Sequence, residues 1–72
     1  MEYIMATLSR GETEEDLKIP AFIPVAELID VLNELFGVNC STLHAEPKGI
    51  ILDKSKTLAE QDIEHGAKLA LS

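Results

Sequence analysis

The sequence predicts an α+β domain in which a mixed sheet of four to five strands curls around one helix. Three observations carry this. Alternating apolar and polar runs occur near both ends of the chain, and one central stretch has apolar residues at spacings of three and four. The length, 72 residues, leaves room for one small domain spanning 1–72. A chain this short buries only about 60% of the surface it exposes unfolded. A deep active site with a second shell around it is therefore excluded.

Residues 3–9 alternate, with Ile4, Ala6 and Leu8 on one side and Tyr3, Met5, Thr7 and Ser9 on the other. Period two makes this a strand with the aliphatic set on the core face. Arg10-Gly11 breaks it, and the acidic stretch Glu12, Glu14, Glu15, Asp16 reads as a hairpin turn. Alternation resumes at Leu17 and Ile19, with Asp16 and Lys18 on the other face. Pro20 lacks a donor and fits only a strand end or an edge strand.

The central helix is predicted over 24–36. Val25, Leu28, Ile29, Leu32, Leu35 and Phe36 form one apolar stripe and are expected to be core. Pro24 suits a first helical position, Glu27 suits the first turn and Gly37 the left-handed stop. Exposed helix positions include Glu27, Asp30 and Glu34. Further on, 42–46 reads as a strand with Leu43 and Ala45 inward and His44 outward. Pro47-Lys48-Gly49 reads as a turn and 50–52 as a short strand. Thr57-Leu58-Ala59-Glu60 matches a capping box that opens one short helical turn. Residues 68–72 alternate again, with Leu69 and Leu71 inward. A lone helix of about 13 residues needs a sheet face to cover its stripe. The order hairpin, helix, strand, strand, helical turn, strand is satisfied by the β-grasp arrangement.

Composition narrows function. Six Lys plus Arg against thirteen Asp plus Glu give a net charge of −7, which argues against nucleic acid or anionic membrane as partner. Cys40 is the single cysteine, so no disulfide forms within the chain. No basic segment followed by an apolar run opens the sequence, and no apolar stretch reaches ~18 residues. A cytoplasmic location without direct membrane insertion is expected, as a monomer or weak homo-oligomer.

The segments Thr57-Leu58 through Ile63 and Gly66 through Leu71 resemble the end of ubiquitin-like domains. Asp16-Leu17, then Pro24-Val25, then Ile29-Asp30, are similar in spacing to the stand-alone bacterial ubiquitin-like proteins of the YukD/EsaB type, which belong to type VII (WXG100) secretion systems. The resemblance covers nearly the whole chain. It implies a ubiquitin-like fold and a non-catalytic component that binds other proteins of the secretion machinery. Ubiquitin and the sulfur carriers act through a flexible Gly-Gly terminus, whereas this sequence closes on Leu69-Ala70-Leu71-Ser72, so C-terminal activation is not expected. A small accessory subunit of a multicomponent enzyme is the alternative, and a C-terminally activated carrier the weaker one.

No catalytic, cofactor or metal site is expected. Cys40 and His44 are four residues apart, with His44 facing outward. With His65 they show no CxxC or HxxxH spacing. No Gly-rich loop enters a helix. The candidate partner-binding residues lie on the outer sheet face: Tyr3, Met5, Lys18, His44, Lys68 and Ala70. Tyr and Met are enriched at interface cores. The face is expected to carry two lysines and no carboxylate. In ubiquitin the corresponding apolar patch is centred on an isoleucine; here His44 is expected in that place, so ubiquitin receptors should not recognise the chain.

Overall fold

The structure, a computed structural model, describes residues 3–46 and 48–72. Met1, Glu2 and the Pro47 of the expected turn lie outside the described residues. The elements run β1 (Tyr3–Arg10), β2 (Thr13–Pro20), α1 (Val25–Phe36), β3 (Leu43–Glu46), β4 (Ile50–Ile51), a short 3-10 turn (Ala59–Gln61) and β5 (Ala67–Leu71). The five strands form one mixed sheet in the order β2-β1-β5-β3-β4. β1 and β5 are parallel neighbours at its centre, and the remaining pairs are antiparallel. This is the β-grasp arrangement of ubiquitin-like domains.

The hairpin is tighter than the sequence suggests. Arg10 pairs with Thr13, so only Gly11 and Glu12 remain in the loop, and Gly11 takes φ 59°. A two-residue hairpin loop demands a positive φ that glycine supplies without strain. Glu14, Glu15 and Asp16 therefore belong to β2 and not to the turn, which corrects the expectation above. Pro20 closes β2, an edge strand, where its missing donor costs no ladder bond.

Val25, Leu28, Ile29 and Leu32 of α1 are buried against Ala6, Leu8, Ile19, Leu43, Leu69 and Leu71 of the sheet. Leu52 and Leu58, from irregular segments, complete the same core. Ile4, Leu17, Phe36 and Ala45 pack against it half-buried. Leu35 departs from expectation: it is 62% exposed, and Val31 beside it is 50% exposed. The sheet takes only as much of the helix as four residues per two turns can present. Leu35 sits one step outside that stripe.

Pro24 is the N-cap, and no side chain caps α1. Backbone carbonyls do so instead: the Val25 N–H donates to Lys56 O at 2.9 Å and the Ala26 N–H to Lys54 O at 3.1 Å. Pro24 has no N–H, so the helix start leaves three unpartnered amides, and two of them are thus satisfied from the 53–57 loop. At the other end Gly37 adopts φ 65°, and the Val38 N–H reaches Asn33 O at 3.0 Å, closing the left-handed stop. The Asn33 amide then reaches the next loop. Its Nδ2 donates to Cys40 O and its Oδ1 accepts from Cys40 N–H, both at 2.9 Å.

Candidate protein-docking face

Helix α1 packs on one side of the sheet, so the side chains that alternate away from it form the opposite face. Strand register places them in rows. Met5 stands opposite Lys18, and Thr7 stands between Asp16 on β2 and Lys68 on β5. Lys68 in turn lies opposite Glu46 on β3. In the next row Ser9 lies between Glu14 and Ala70, then come His44 and Ile51. All six residues expected on this face occupy it.

They do not form one continuous patch. Tyr3 and Met5 are 47% and 38% exposed at the start of β1. The Lys18 ammonium lies 5.4 Å from the Tyr3 ring centroid, within the ~6 Å range of a cation–π contact. His44 and Ala70 sit at the other end with Ile51, which is 66% exposed. Met5 and Ser9 are four residues apart, about 13 Å along a strand. Between the two groups runs the row Asp16, Thr7, Lys68, Glu46.

That row corrects a second expectation. The face holds the carboxylates Asp16, Glu14 and Glu46. The Thr7 hydroxyl donates to Asp16 Oδ1 at 2.7 Å, which orients that carboxylate on the surface. The carboxylates arrive because the two-residue turn moves the acidic stretch into β2, and because Glu46 shares the parity of His44. Two shallow depressions flank the row. One, of about 250 Å³, is lined by Met5, Thr7, Asp16, His65 and Gly66. The other, of about 280 Å³, is lined by Thr7, Ser9, Glu14, Glu46 and Lys68.

Ile51 and His65 were not among the residues expected on this face. Ile51 was legible from period two once His44 is opposite it, but only the register supplies that pairing. His65 precedes β5 in a loop, where periodicity carries no signal. Its Nδ1 accepts the Met5 N–H at 3.1 Å.

The remaining candidates stand apart from this face. Cys40 is half-buried, packed on the core, with both backbone groups held by Asn33. Among the described residues no group of three His, Cys, Asp or Glu side chains is placed to hold a metal ion. The Asp53 carboxylate accepts from the Ser55 hydroxyl at 2.7 Å and from the Ser55 N–H at 2.9 Å. Those bonds hold it below the ordinary aspartate value of 3.8. They belong to a turn that abuts the helix start.

Among solved structures the chain is similar to the ubiquitin-like domain of an Arabidopsis thaliana protein, with a TM-score of 0.81 and 17% identity over 100% of this chain and 78% of that one. It is similar to the EccD5 ubiquitin-like domain from Mycobacterium xenopi, with a TM-score of 0.77 and 17% identity, covering 100% of this chain and 94% of that one. It is also similar to part of protomer 1 of the ESX-3 core complex, with a TM-score of 0.77 and 20% identity, covering 97% of this chain and 16% of that one. No curated protein is similar enough in sequence to count as a match. At these identities the likeness establishes the fold. The sequence pattern described as "WXG100 protein secretion system (Wss), protein YukD" matches residues 4–71, nearly the whole chain, and on that match the chain belongs to the YukD family of the WXG100 secretion system.

Proposed function

We propose that the chain is a non-catalytic interaction module that docks onto a protein of a bacterial type VII (WXG100) secretion system at the cytoplasmic side of the membrane. The observation that carries this is the sheet face opposite α1, where Tyr3, Met5 and Ile51 remain substantially exposed. Aromatic and thioether side chains are the groups that become interface anchors when a partner excludes water. The proposed contact residues are Tyr3, Met5, Lys18, His44, Lys68 and Ala70, now with Ile51 beside His44. The charged row between the two apolar ends fixes the orientation of a partner and contributes less to affinity.

Two further observations support the reading. The similar solved structures include a ubiquitin-like domain named EccD5 and a protomer of the ESX-3 core complex, where such a domain is part of a larger chain. No helix among the described residues is long and apolar enough to cross a membrane, so attachment to the machinery is proposed to run through protein contacts. Edge strand β2 carries Glu14, Glu15 and Asp16. Antiparallel pairing of two such edges brings like charges face to face, which favours a monomer over self-assembly through β2.

The Ser72 carbonyl accepts from the N–H groups of Ser41 and Thr42, each at 2.8 Å, and from the Thr42 hydroxyl at 3.1 Å. These bonds tie the residues just before β3 to the end of β5. The test is site-specific photocrosslinking in the native host, with the crosslinker at Met5 or at Glu34 on the exposed side of α1. The expected result is an adduct between the Met5 position and a component of the WXG100 secretion apparatus. Adducts only from the Glu34 position, or none with a secretion component from either, would overturn it.

A further inference from the structure

The Met5 backbone is clasped by two consecutive residues of the loop before β5. Its carbonyl accepts the Gly66 N–H at 2.7 Å, and its N–H donates to His65 Nδ1 at 3.1 Å. Regular parallel pairing of β1 with β5 begins one step later, at Ala6 and Ala67. In a parallel ladder the Met5 N–H would find a carbonyl on the neighbouring strand. Here the chain turns away at Gly66, which has φ 90°, so β5 has not yet begun. The His65 imidazole takes the place of the missing carbonyl.

An imidazole nitrogen accepts a hydrogen bond only while its lone pair is unprotonated. The bond therefore fixes the tautomer with the proton on Nε2. We propose that His65 and Met5 form a pH-sensitive latch: neutral His65 ties the loop before β5 to the start of β1, and a proton taken up from water at Nδ1 removes the acceptor and releases that tie. Histidine is the side chain whose charge changes in the physiological range. The groups around the ring are defined. Asp16 on β2 lines the same depression as His65. Glu64 precedes His65 in the chain. Lys18, opposite Met5 on β2, and Lys68 on β5 are the cations on the neighbouring strands. Released from Met5, the imidazolium has the Asp16 carboxylate across the depression to face. The latch is a property of the folded chain and holds whether or not a partner docks on this face.

The test follows the Met5 amide by hydrogen exchange, expressed as a protection factor, at about pH 8 and about pH 5, the range in which histidine titrates. In the unsubstituted protein Met5 protection should fall roughly three- to ten-fold as His65 takes its proton, the size expected for one hydrogen bond. Leu8, deep in the same strand, should hold its protection. In His65→Ala, an exposed substitution, Met5 should be poorly protected at both pH values. His65→Asn keeps an acceptor oxygen on the same Cγ and cannot titrate, so Met5 should stay protected at both. Nitrogen shifts of the ring should show Nε2 as the protonated atom at about pH 8. A proton on Nδ1 there, or equal Met5 protection in His65→Ala and the unsubstituted protein at about pH 8, would overturn the proposal.

Discussion

Thr57 and Glu60 hold each other's backbone: the Glu60 carboxylate accepts the Thr57 N–H at 2.9 Å, and the Thr57 hydroxyl accepts the Glu60 N–H at 3.1 Å. The reciprocal pair satisfies two amides that would otherwise face water. It also fixes Leu58, the residue between them that is wholly buried in the core. The Gln61 amide adds three bonds, accepting from Asp53 N–H and donating to the Asp53 and Thr57 carbonyls. The same 53–57 loop supplies the carbonyls that start α1. Thr57→Ala should therefore lower stability by about 1 kcal/mol in urea melts, the ordinary cost of a lost cap. An unchanged midpoint would mean the 3-10 turn holds without it.

Leu69 and Leu58 are both fully buried, one on the central strand pair and one on the irregular segment. Truncation of either to Ala should cost roughly 2–5 kcal/mol, the transfer loss plus the cavity left behind. Against a total of ~5–10 kcal/mol for a small domain, either loss should be plain in denaturant melts. A small effect at Leu58 with a large one at Leu69 would place the 57–63 segment outside the cooperative core.

Asn33→Ala removes both bonds to Cys40 and leaves that residue's backbone groups without their partner. The expected loss is about 1–3 kcal/mol. Amides of Val38 to Ser41 should also exchange faster. Cys40→Ser, by contrast, keeps those backbone bonds and should leave a folded protein.

Asp53 gives a pH dependence of known sign. The Ser55 side-chain bond and then the Ser55 backbone bond favour its ionised form and hold its folded pKa below 3.8. A group lowered on folding stabilises the protein above its unfolded value, and that contribution is lost as pH falls through the lowered folded value. Carboxyl-carbon titration should find Asp53 below the ordinary aspartate range, and Ser55→Ala should return it toward 3.8. An ordinary titration in the unsubstituted protein would contradict the turn geometry.

The fold was legible because each element carries a local signal that agrees with the global packing. Alternation in 3–9 gave β1, the stripe from Val25 to Leu32 gave α1, and Thr57 to Glu60 gave the capped turn. The candidate face was legible only in part. Parity along one strand put Tyr3 and Met5 together, and His44 outward. Which residues become neighbours across strands is set by register, and register here depends on the length of the hairpin loop. Reading the acidic stretch 12–16 as the turn, where the loop is two residues long, left Asp16 and Glu14 in a turn and the face without its carboxylates. Leu35 was misplaced for a similar reason. Helical spacing defines a stripe, but the sheet beneath decides how wide a stripe is covered.

The exposed Val31 and Leu35 make the helix side the competing surface, so the most direct measurement is a binding comparison between the two faces. The component captured by crosslinking is titrated calorimetrically with the unsubstituted protein, Met5→Asp, Leu35→Asp and Glu34→Lys. Met5→Asp should weaken binding by at least ~2 kcal/mol, about thirty-fold. Leu35→Asp and Glu34→Lys should bind within a few-fold of the unsubstituted protein, and all three variants should retain cooperative unfolding. Unchanged affinity in Met5→Asp, together with loss in Leu35→Asp or Glu34→Lys, would contradict the account and place the interface on α1.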